Sequence, residues 1–279
     1  LGRKSSHRFY RYRNLTAPMM YQFCAQTDPG RTRDNNEDSV AFEEAAKVAV
    51  LADGMGGYNA GEIASGMATA FIKSELSRWL TEAGPTAQAK EVRRAMEICV
   101  DNANMAIFNS ANANAAYAGM GTTLVVGVFR DDRLLLGHIG DSRCYRLRAG
   151  VLSQITKDHS LLQEQIDAGL ISPEQAATSS IKNLVTRALG VEDAVALDVN
   201  EHVVEPGDLY LMCSDGLSDM VADELIARIV CEGATLDQKA DLLISAANEN
   251  GGRDNISVLM VSVSEAAERR GLFARLLGK

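Results

Sequence analysis

The sequence predicts an α+β fold in a single domain, and three observations carry that expectation. Strand-like segments come in clusters, helix-like segments come in pairs, and no regular strand–helix–strand alternation runs through the 279 residues. Taken in order, residues 21–26 alternate weakly and residues 47–51 (KVAVL) are a short apolar run, both strand signals. Over residues 61–80, Ile63, Met67, Ala70, Phe71, Leu76 and Leu80 recur at helical spacing, and residues 88–116 repeat the pattern. Residues 122–129, 134–139 and 144–148 read as consecutive strands joined by short turns such as Arg130-Asp131-Asp132. A helical, turn-rich stretch follows over 160–188. Strands are expected again at 195–203 and 208–213, helices at 222–230 and 236–248, and a closing strand at 256–263.

Composition narrows the function classes. The chain is 46% hydrophobic and 23% charged, which suits a globular core and excludes wholesale disorder. With 28 basic against 37 acidic side chains its net charge is −9, which argues against a general nucleic-acid binder. No apolar run approaches the ~18 residues of a membrane span. Five cysteines, Cys24, Cys99, Cys144, Cys213 and Cys231, are odd in number and show no CxxC pair. They read as free thiols of a reducing compartment, so a cytoplasmic location is expected.

The ends differ from the middle. Residues 1–13 hold Arg3, Lys4, Arg8, Arg11 and Arg13 with no acid, and lack the apolar stretch of a secretory signal. Residues 1–18 are therefore read as a solvated basic extension, with docking to an acidic partner as the alternative. Residues 265–279 mix Arg269, Arg270, Arg275 and Lys279 with Leu272, Phe273, Leu276 and Leu277, the spacing of a short amphipathic basic tail. Between them, residues 19–264 contain no linker and no repeat.

The aspartates are the informative feature. Asp53 follows KVAVLA and precedes Gly54-Met55-Gly56-Gly57; Asp215 follows LYLMCS and precedes Gly216. Asp141 follows LLLGHIG, Asp254 precedes ISVLMV, and Glu37-Asp38 sits in the loop 30–39. Each acid stands at the edge of a hydrophobic strand beside glycine or asparagine. One such carboxylate is ordinary turn chemistry. Several together would repel and pay for desolvation unless a cation joins them. All-oxygen donors without a Cys/His cluster suit Mg²⁺ or Mn²⁺ and disfavour zinc. Glycine at position 54 permits close backbone approach, so its carbonyl is a further candidate ligand.

Other chemistries fit poorly. The stretch DGMGGYNAG (53–61) matches neither GxxxxGK[ST] nor GxGxxG. No cysteine has an arginine six positions on, and there is no GxSxG elbow. His7, His138, His159 and His202 are isolated in sequence and read as ordinary polar or packed residues.

The ordered set GRTRDNNEDS (30–39), VLADGMGGYNAGEIAS (50–65), MGTTL (120–124), GHIGDSRCYRLR (137–148), KDHS (157–160), LVTRALG (184–190), YLMCSDGLSD (210–219) and GGRDNISVLMV (251–261) resembles the metal-dependent serine/threonine protein phosphatases of the PP2C (PPM) family in their compact bacterial form. The resemblance covers nearly all of residues 20–264. It implies a four-layer αββα sandwich, two packed antiparallel sheets flanked by helix pairs, with a flap at about 160–188 that helps choose substrates. It also implies two Mn²⁺ or Mg²⁺ ions and a third, weaker one. Carried over by motif, Asp53 bridges the two metals, the Gly54 carbonyl binds one, and Asp215 and Asp254 complete the other. Glu37 and Asp38 act through water, and Asp141 holds the third metal with Asp215. Arg33, in the spacing Arg33-x-x-Asn36-Glu37-Asp38, grips the substrate phosphate, for which a planar fork is suited; a salt bridge to a nearby acid is its alternative. Asn36 and Asn255 support the ligands, Asn255 by orienting Asp254. Many members carry DGHGG, whose histidine is a candidate acid for the leaving group; Met55 here has no proton to donate.

The function implied is hydrolysis of phosphoserine and phosphothreonine in proteins, by direct attack of a hydroxide bridging two divalent ions and without a phosphoenzyme. The expected partners are a bacterial Ser/Thr kinase and its substrates, the expected state a monomer. Two alternatives remain at this point: a metal-binding phosphoprotein-recognition module without turnover, and a two-metal hydrolase of other phosphoesters.

Overall fold

The computed structural model describes residues 18–57, 60–172, 175–176 and 184–266. The basic extension before Pro18, the tail beyond Ala266 and residues 173–174 and 177–183 of the flap lie outside the described residues.

The first sheet is closed by the two ends of the domain. β1 (Met19–Asp28) pairs antiparallel along its whole length with the last strand, β11 (Ile256–Glu265). β10 (Leu209–Cys213) lies on the other side of β11, followed by β7 (Arg143–Arg148) and β8 (Val151–Gln154), in the order β1-β11-β10-β7-β8. The second sheet runs β2-β3-β5-β6-β9, from β2 (Asp38–Glu43), β3 (Val48–Met55), β5 (Leu124–Arg130), β6 (Arg133–Ile139) and β9 (Asp198–Val203). A short β4 (Gly121–Thr122) pairs with the end of β3.

Alternation along the strands divides the apolar residues into three cores, and three cores require four layers. Between the sheets, Phe23, Leu51, Phe129, Leu134, Tyr210, Met212 and Leu259 are buried. Phe129 stacks edge-on to Tyr210 and Phe23. Outside the second sheet, Val48, Val50 and Val126 meet α1 (Ala60–Ala83) and α2 (Ala89–Ala113) through Ile72, Leu76, Met96 and Ile107. Outside the first, Tyr145, Leu211 and Met260 meet α5 (Asp223–Cys231) and α6 (Leu236–Glu249) through Ile226, Leu243 and Ala247. Two short helices, α3 (Leu161–Asp167) and α4 (Asp215–Ser218), complete the described elements. The αββα sandwich expected from the resemblance is the architecture found.

Most expected elements appear within a few residues of their expected ends. The strand expected over 122–129 is broken at Thr123, and the one over 195–203 starts only at Asp198. β2 and β8 were not anticipated. The segment DSVAFE opens on a charged residue at the end of the polar, turn-rich run 29–37, so it passes for a continuation of that loop in sequence. VLSQ is only four residues long, does not alternate, and has a partner only on one side.

The register of both sheets brings the chemistry to one edge. In the first sheet Asp28 faces Ile256, and Cys213 faces both Val258 and Arg143. In the second, Asp38 faces Asp53, and Leu124 faces Ile139. The loops leaving these positions are the ones that carry the acids.

Candidate metal centre

Asp53 occupies the third position from the end of β3, and its direct cross-strand neighbour is Asp38 at the start of β2. Like charges directly opposite on a sheet repel. A chain has no reason to place them so for its own stability. Asp215 opens α4 directly after β10, and Asp254 lies just before β11. Asp141 follows β6 in the turn to β7. Five carboxylates from five segments therefore meet at one edge of the sandwich.

Their electrostatics register the crowding. Burial first, then the charges of Asp38, Asp215, Asp141 and Asp254, push the Asp53 carboxyl well above the ordinary carboxylate range. Burial, then Asp141, Asp219, Asp254 and Asp38, do the same to Asp215. Burial raises Asp38 to about 7, even though the Ser214 and Ser257 hydroxyls bond it. Burial, with the charge of Asp158, raises Asp141 to about 6.

The donor set fits hard divalent cations. Every candidate ligand atom is oxygen, and the summed negative charge has no equal positive charge beside it. Asp38 Oδ2 accepts from the Ser214 hydroxyl at 2.7 Å, whereas its buried Oδ1 has no hydrogen-bond partner among the described residues. Gly54 is sterically required: a Cβ there would collide with the carbonyls of Gly61 and Glu37. Gly216 is pressed equally hard against the Asn255 carbonyl.

Arg33 stands at the rim, half exposed, with Nη2 donating to Asp254 Oδ2 at 2.7 Å. The salt bridge named as its alternative is thus present, and it holds the guanidinium against the acid cluster. Asn255 does more than orient Asp254, to whose Oδ1 its backbone N–H donates at 2.9 Å. Its side chain accepts from the Glu37 N–H at 2.8 Å and donates to the Pro29 and Asn35 carbonyls at 3.1 and 2.8 Å. It therefore fastens the whole loop that bears Arg33 and Glu37. Asn36 turns away from the acids, donating to Thr27 Oγ1 at 2.7 Å and accepting from the Asp38 N–H at 3.1 Å. Glu37 is partly exposed, with the Asn35 amide donating to its Oε1 at 3.3 Å.

Further supporting residues were not singled out from sequence. Thr123 Oγ1 accepts from the Asp53 N–H at 3.0 Å and bonds Ser142 Oγ at 2.7 Å, tying β3 to the Asp141 turn. Arg143 grips Asp158 through Nε and Nη2, at 3.0 and 2.7 Å to Oδ2. His159 clasps Gly140: its Nδ1 accepts from the Gly140 N–H at 3.1 Å, and its own N–H donates to the Gly140 carbonyl at 2.9 Å. Asp219 is close enough to raise both Asp141 and Asp215. The signal for these was the pairing of GDSR with KDHS, two boxes that sequence shows only as separate strings.

His138, His159 and Asp198 lie elsewhere, with ligand atoms within 4.8 Å of one another, near enough to share a cation. Their hydrogen bonds oppose it. His159 Nδ1 is occupied as an acceptor, so Nε2 carries the proton and donates to Asp198 Oδ2 at 3.0 Å, leaving no lone pair for a metal. Arg187 Nη1, 3.5 Å from Asp198 Oδ1, already brings a positive charge.

Comparison with known proteins shows the family. The family model described as Protein phosphatase 2C matches residues 30–251. The serine/threonine phosphatase Stp of Listeria innocua is 38% identical over 239 residues, 85% of this chain and 93% of that protein. The crystal structure of the Mycobacterium tuberculosis serine/threonine phosphatase PstP/Ppp superposes with a TM-score of 0.79 at 36% identity, covering 88% of this chain and 99% of that one. The PstP catalytic domain solved in complex with 2 manganese ions gives a TM-score of 0.78 at 37% identity, over 88% and 99%. Family match, sequence identity and overall fold agree, and the chain belongs to the protein phosphatase 2C family, as a metal-dependent serine/threonine phosphatase of phosphoproteins.

Proposed function

We propose that this phosphatase works at the acid cluster, where Asp53, the Gly54 carbonyl, Asp215 and Asp254 would hold two divalent cations. Asp141 with Asp215 would hold a third, weaker ion, and Glu37 and Asp38 would act through water. The observation that carries this reading is the Asp38–Asp53 pair, two carboxyls in direct register at the edge of the sheet, whose mutual repulsion at neutral pH a divalent cation would relieve.

When bound, the cations lower the pKa of water and neutralise charge on the phosphoryl group. The chain contributes position. Arg33 offers a planar fork at the rim, where it exchanges Asp254 for phosphate oxygens. Asn255 and Thr123 keep the acids in place while the phosphate is bound. The Cys144 and Cys213 thiols are not nucleophiles here: burial raises both, and neither is a thiolate at neutral pH. Hydrolysis is direct, and the substrate is phosphoserine or phosphothreonine on a protein.

The enzyme acts as a monomer, opposing a Ser/Thr kinase, in the cytoplasm. The five free thiols support a reducing compartment, and among the described residues no helix is long and apolar enough to cross a membrane.

The test is phosphate release from a phosphothreonine peptide, with Mn²⁺ and with EDTA, in wild type and Asp215→Ala. Turnover that needs both metal and Asp215 is expected. Turnover that survives EDTA, or survives loss of Asp215, overturns the assignment.

A further inference from the structure

Near the acid cluster lies a cavity of about 350 Å³, walled by Met55, Val185, Val191 and Val195, with the polar Thr186, Arg187 and Glu192 among its lining. We propose that this cavity receives an apolar side chain of the substrate protein, one or two residues from the phosphoserine or phosphothreonine, and so sets sequence preference. The inference rests on the phosphatase reading above and adds a specificity element to it.

Continuity with the acids is the first argument. Met55 lies two residues beyond Asp53 on the same strand, about 7 Å along an extended chain. A substrate peptide covers that distance in two residues, so a side chain flanking the phosphoresidue reaches Met55 while the phosphate sits at the acids. Position 55 thereby acquires a use in this chain that needs no proton: it is the apolar wall nearest the reaction.

The second argument is that the cavity is built. Leu189 exchanges two backbone hydrogen bonds with Thr122, at 3.1 and 2.8 Å. The buried Asn104 accepts from the Gly190 N–H at 2.7 Å and donates to the Glu192 carbonyl at 3.0 Å. Val191 packs so closely over Gly121 that a Cβ at 121 would come within 2.7 Å of it. The wall is therefore pinned to β4 and α2 before any substrate arrives, which lowers the ordering cost of binding.

The third is where apolar surface is left uncovered. Leu184 is 52% and Val191 51% exposed, both on the stretch 184–195, and Val191 belongs to the cavity wall itself. An exposed large apolar residue in the wall of a cavity near a catalytic centre, here Val191, marks a place where ligand surface is buried. At about 350 Å³ the cavity is at the small end for ligand sites, enough for one large side chain.

The experiment uses a set of phosphothreonine peptides, alanine-based, with Leu, Ala or Asp placed at each of the two positions on either side of the phosphoresidue. Phosphate release with Mn²⁺ gives kcat/KM for each. Wild type is expected to favour Leu over Ala at one position by about tenfold, the scale of an apolar side chain in a pocket. Val191→Asp should abolish that preference and Val191→Ala should shrink it, with thermal melting of each variant checking that it is folded, since Val191 also packs on Gly121. Equal rates for Leu and Ala at all four positions in wild type, or a preference for Leu that survives Val191→Asp in a folded variant, overturns the pocket while leaving the phosphatase intact. No turnover of any peptide by wild type overturns the phosphatase reading and the pocket with it.

Discussion

Asp208 and Asp53 are both enclosed aspartates at strand ends, and the molecule treats them in opposite ways. Asp208, 2% exposed, is met by Arg148 through Nε and Nη2 at 2.8 and 2.7 Å, by the Tyr210 hydroxyl at 3.1 Å and by the Glu205 N–H at 2.8 Å. Burial works against its charge, yet Arg148 and these donors hold it below the ordinary carboxylate range. Asp53 has three further aspartates around it besides the opposing Asp38, and its carboxyl is driven up. Asp208 shows that the fold can supply a cation to a buried acid. At the Asp53 edge the described cations are Arg33, at the rim and bound to Asp254, and Arg143, taken by Asp158, and neither pairs with Asp53. That withheld compensation distinguishes a site from a structural ion pair.

The comparison breaks most visibly at Asp53. Asp53→Asn should lower turnover of a phosphothreonine peptide by on the order of 10³-fold or more. In EDTA the same variant should melt a few degrees higher than wild type, because one repelling charge is gone. A variant that loses activity and stability together would make Asp53 an ordinary structural acid. Arg148→Ala is the mirror experiment. It strands Asp208 without its partner and should cost about 3 kcal/mol in denaturant unfolding, while activity per folded molecule persists.

The pH dependence of stability carries the same contrast with opposite signs. Asp38, raised to about 7, and Asp141, raised to about 6, bind protons more tightly folded than unfolded. Their contribution is complete below about pH 4, the unfolded value, and is lost as pH rises through about 6 to 7. Asp208, held low, contributes above about pH 4 and loses that contribution as pH falls through its folded value. Melting curves in EDTA should therefore show the acid cluster destabilising the protein toward pH 8, and added Mg²⁺ should erase that loss. A melting temperature independent of Mg²⁺ at pH 8 would mean that the cluster does not bind it.

Smaller effects sharpen the boundary of the site. His159→Ala should release Gly140 and reduce turnover about tenfold, with more Mn²⁺ needed for half-maximal rate, as for residues that hold a ligand loop. Arg94→Ala removes an exposed helical pair with Glu97 and should shift unfolding by no more than a few tenths of a kcal/mol.

The strands that lead to Asp53 and Asp215 were legible because an apolar run stops at an Asp-Gly pair, a local signal. The five acids were legible as a set for the same reason. Their mutual arrangement was not. That Asp38 stands opposite Asp53 depends on the register of a hairpin whose first strand, DSVAFE, does not announce itself. The order of the four layers came from resemblance, since periodicity along KVAVL says that both faces are apolar but not what covers each. Likewise the side-chain bonds of Asn255 and the clasp of His159 join residues far apart in sequence, and no window along the chain contains both halves.

The pairing of β1 with β11 also has a consequence for anything joined to this domain. The Ala266 N–H donates to the Pro18 carbonyl at 2.9 Å, so the two exits of the domain are one hydrogen bond apart. Asp28 and Ile256, at the far ends of the same ladder, lie ten residues away, about 33 Å of extended strand, next to the acids. A module fused before residue 18 and another fused after residue 266 would start from a single point, and would meet each other at the high effective concentration of a short tether. Both would hang from the pole opposite the reaction, free to recruit without covering it. The same adjacency makes the domain a candidate for circular permutation, with 18 and 266 joined by a short loop and new ends opened elsewhere.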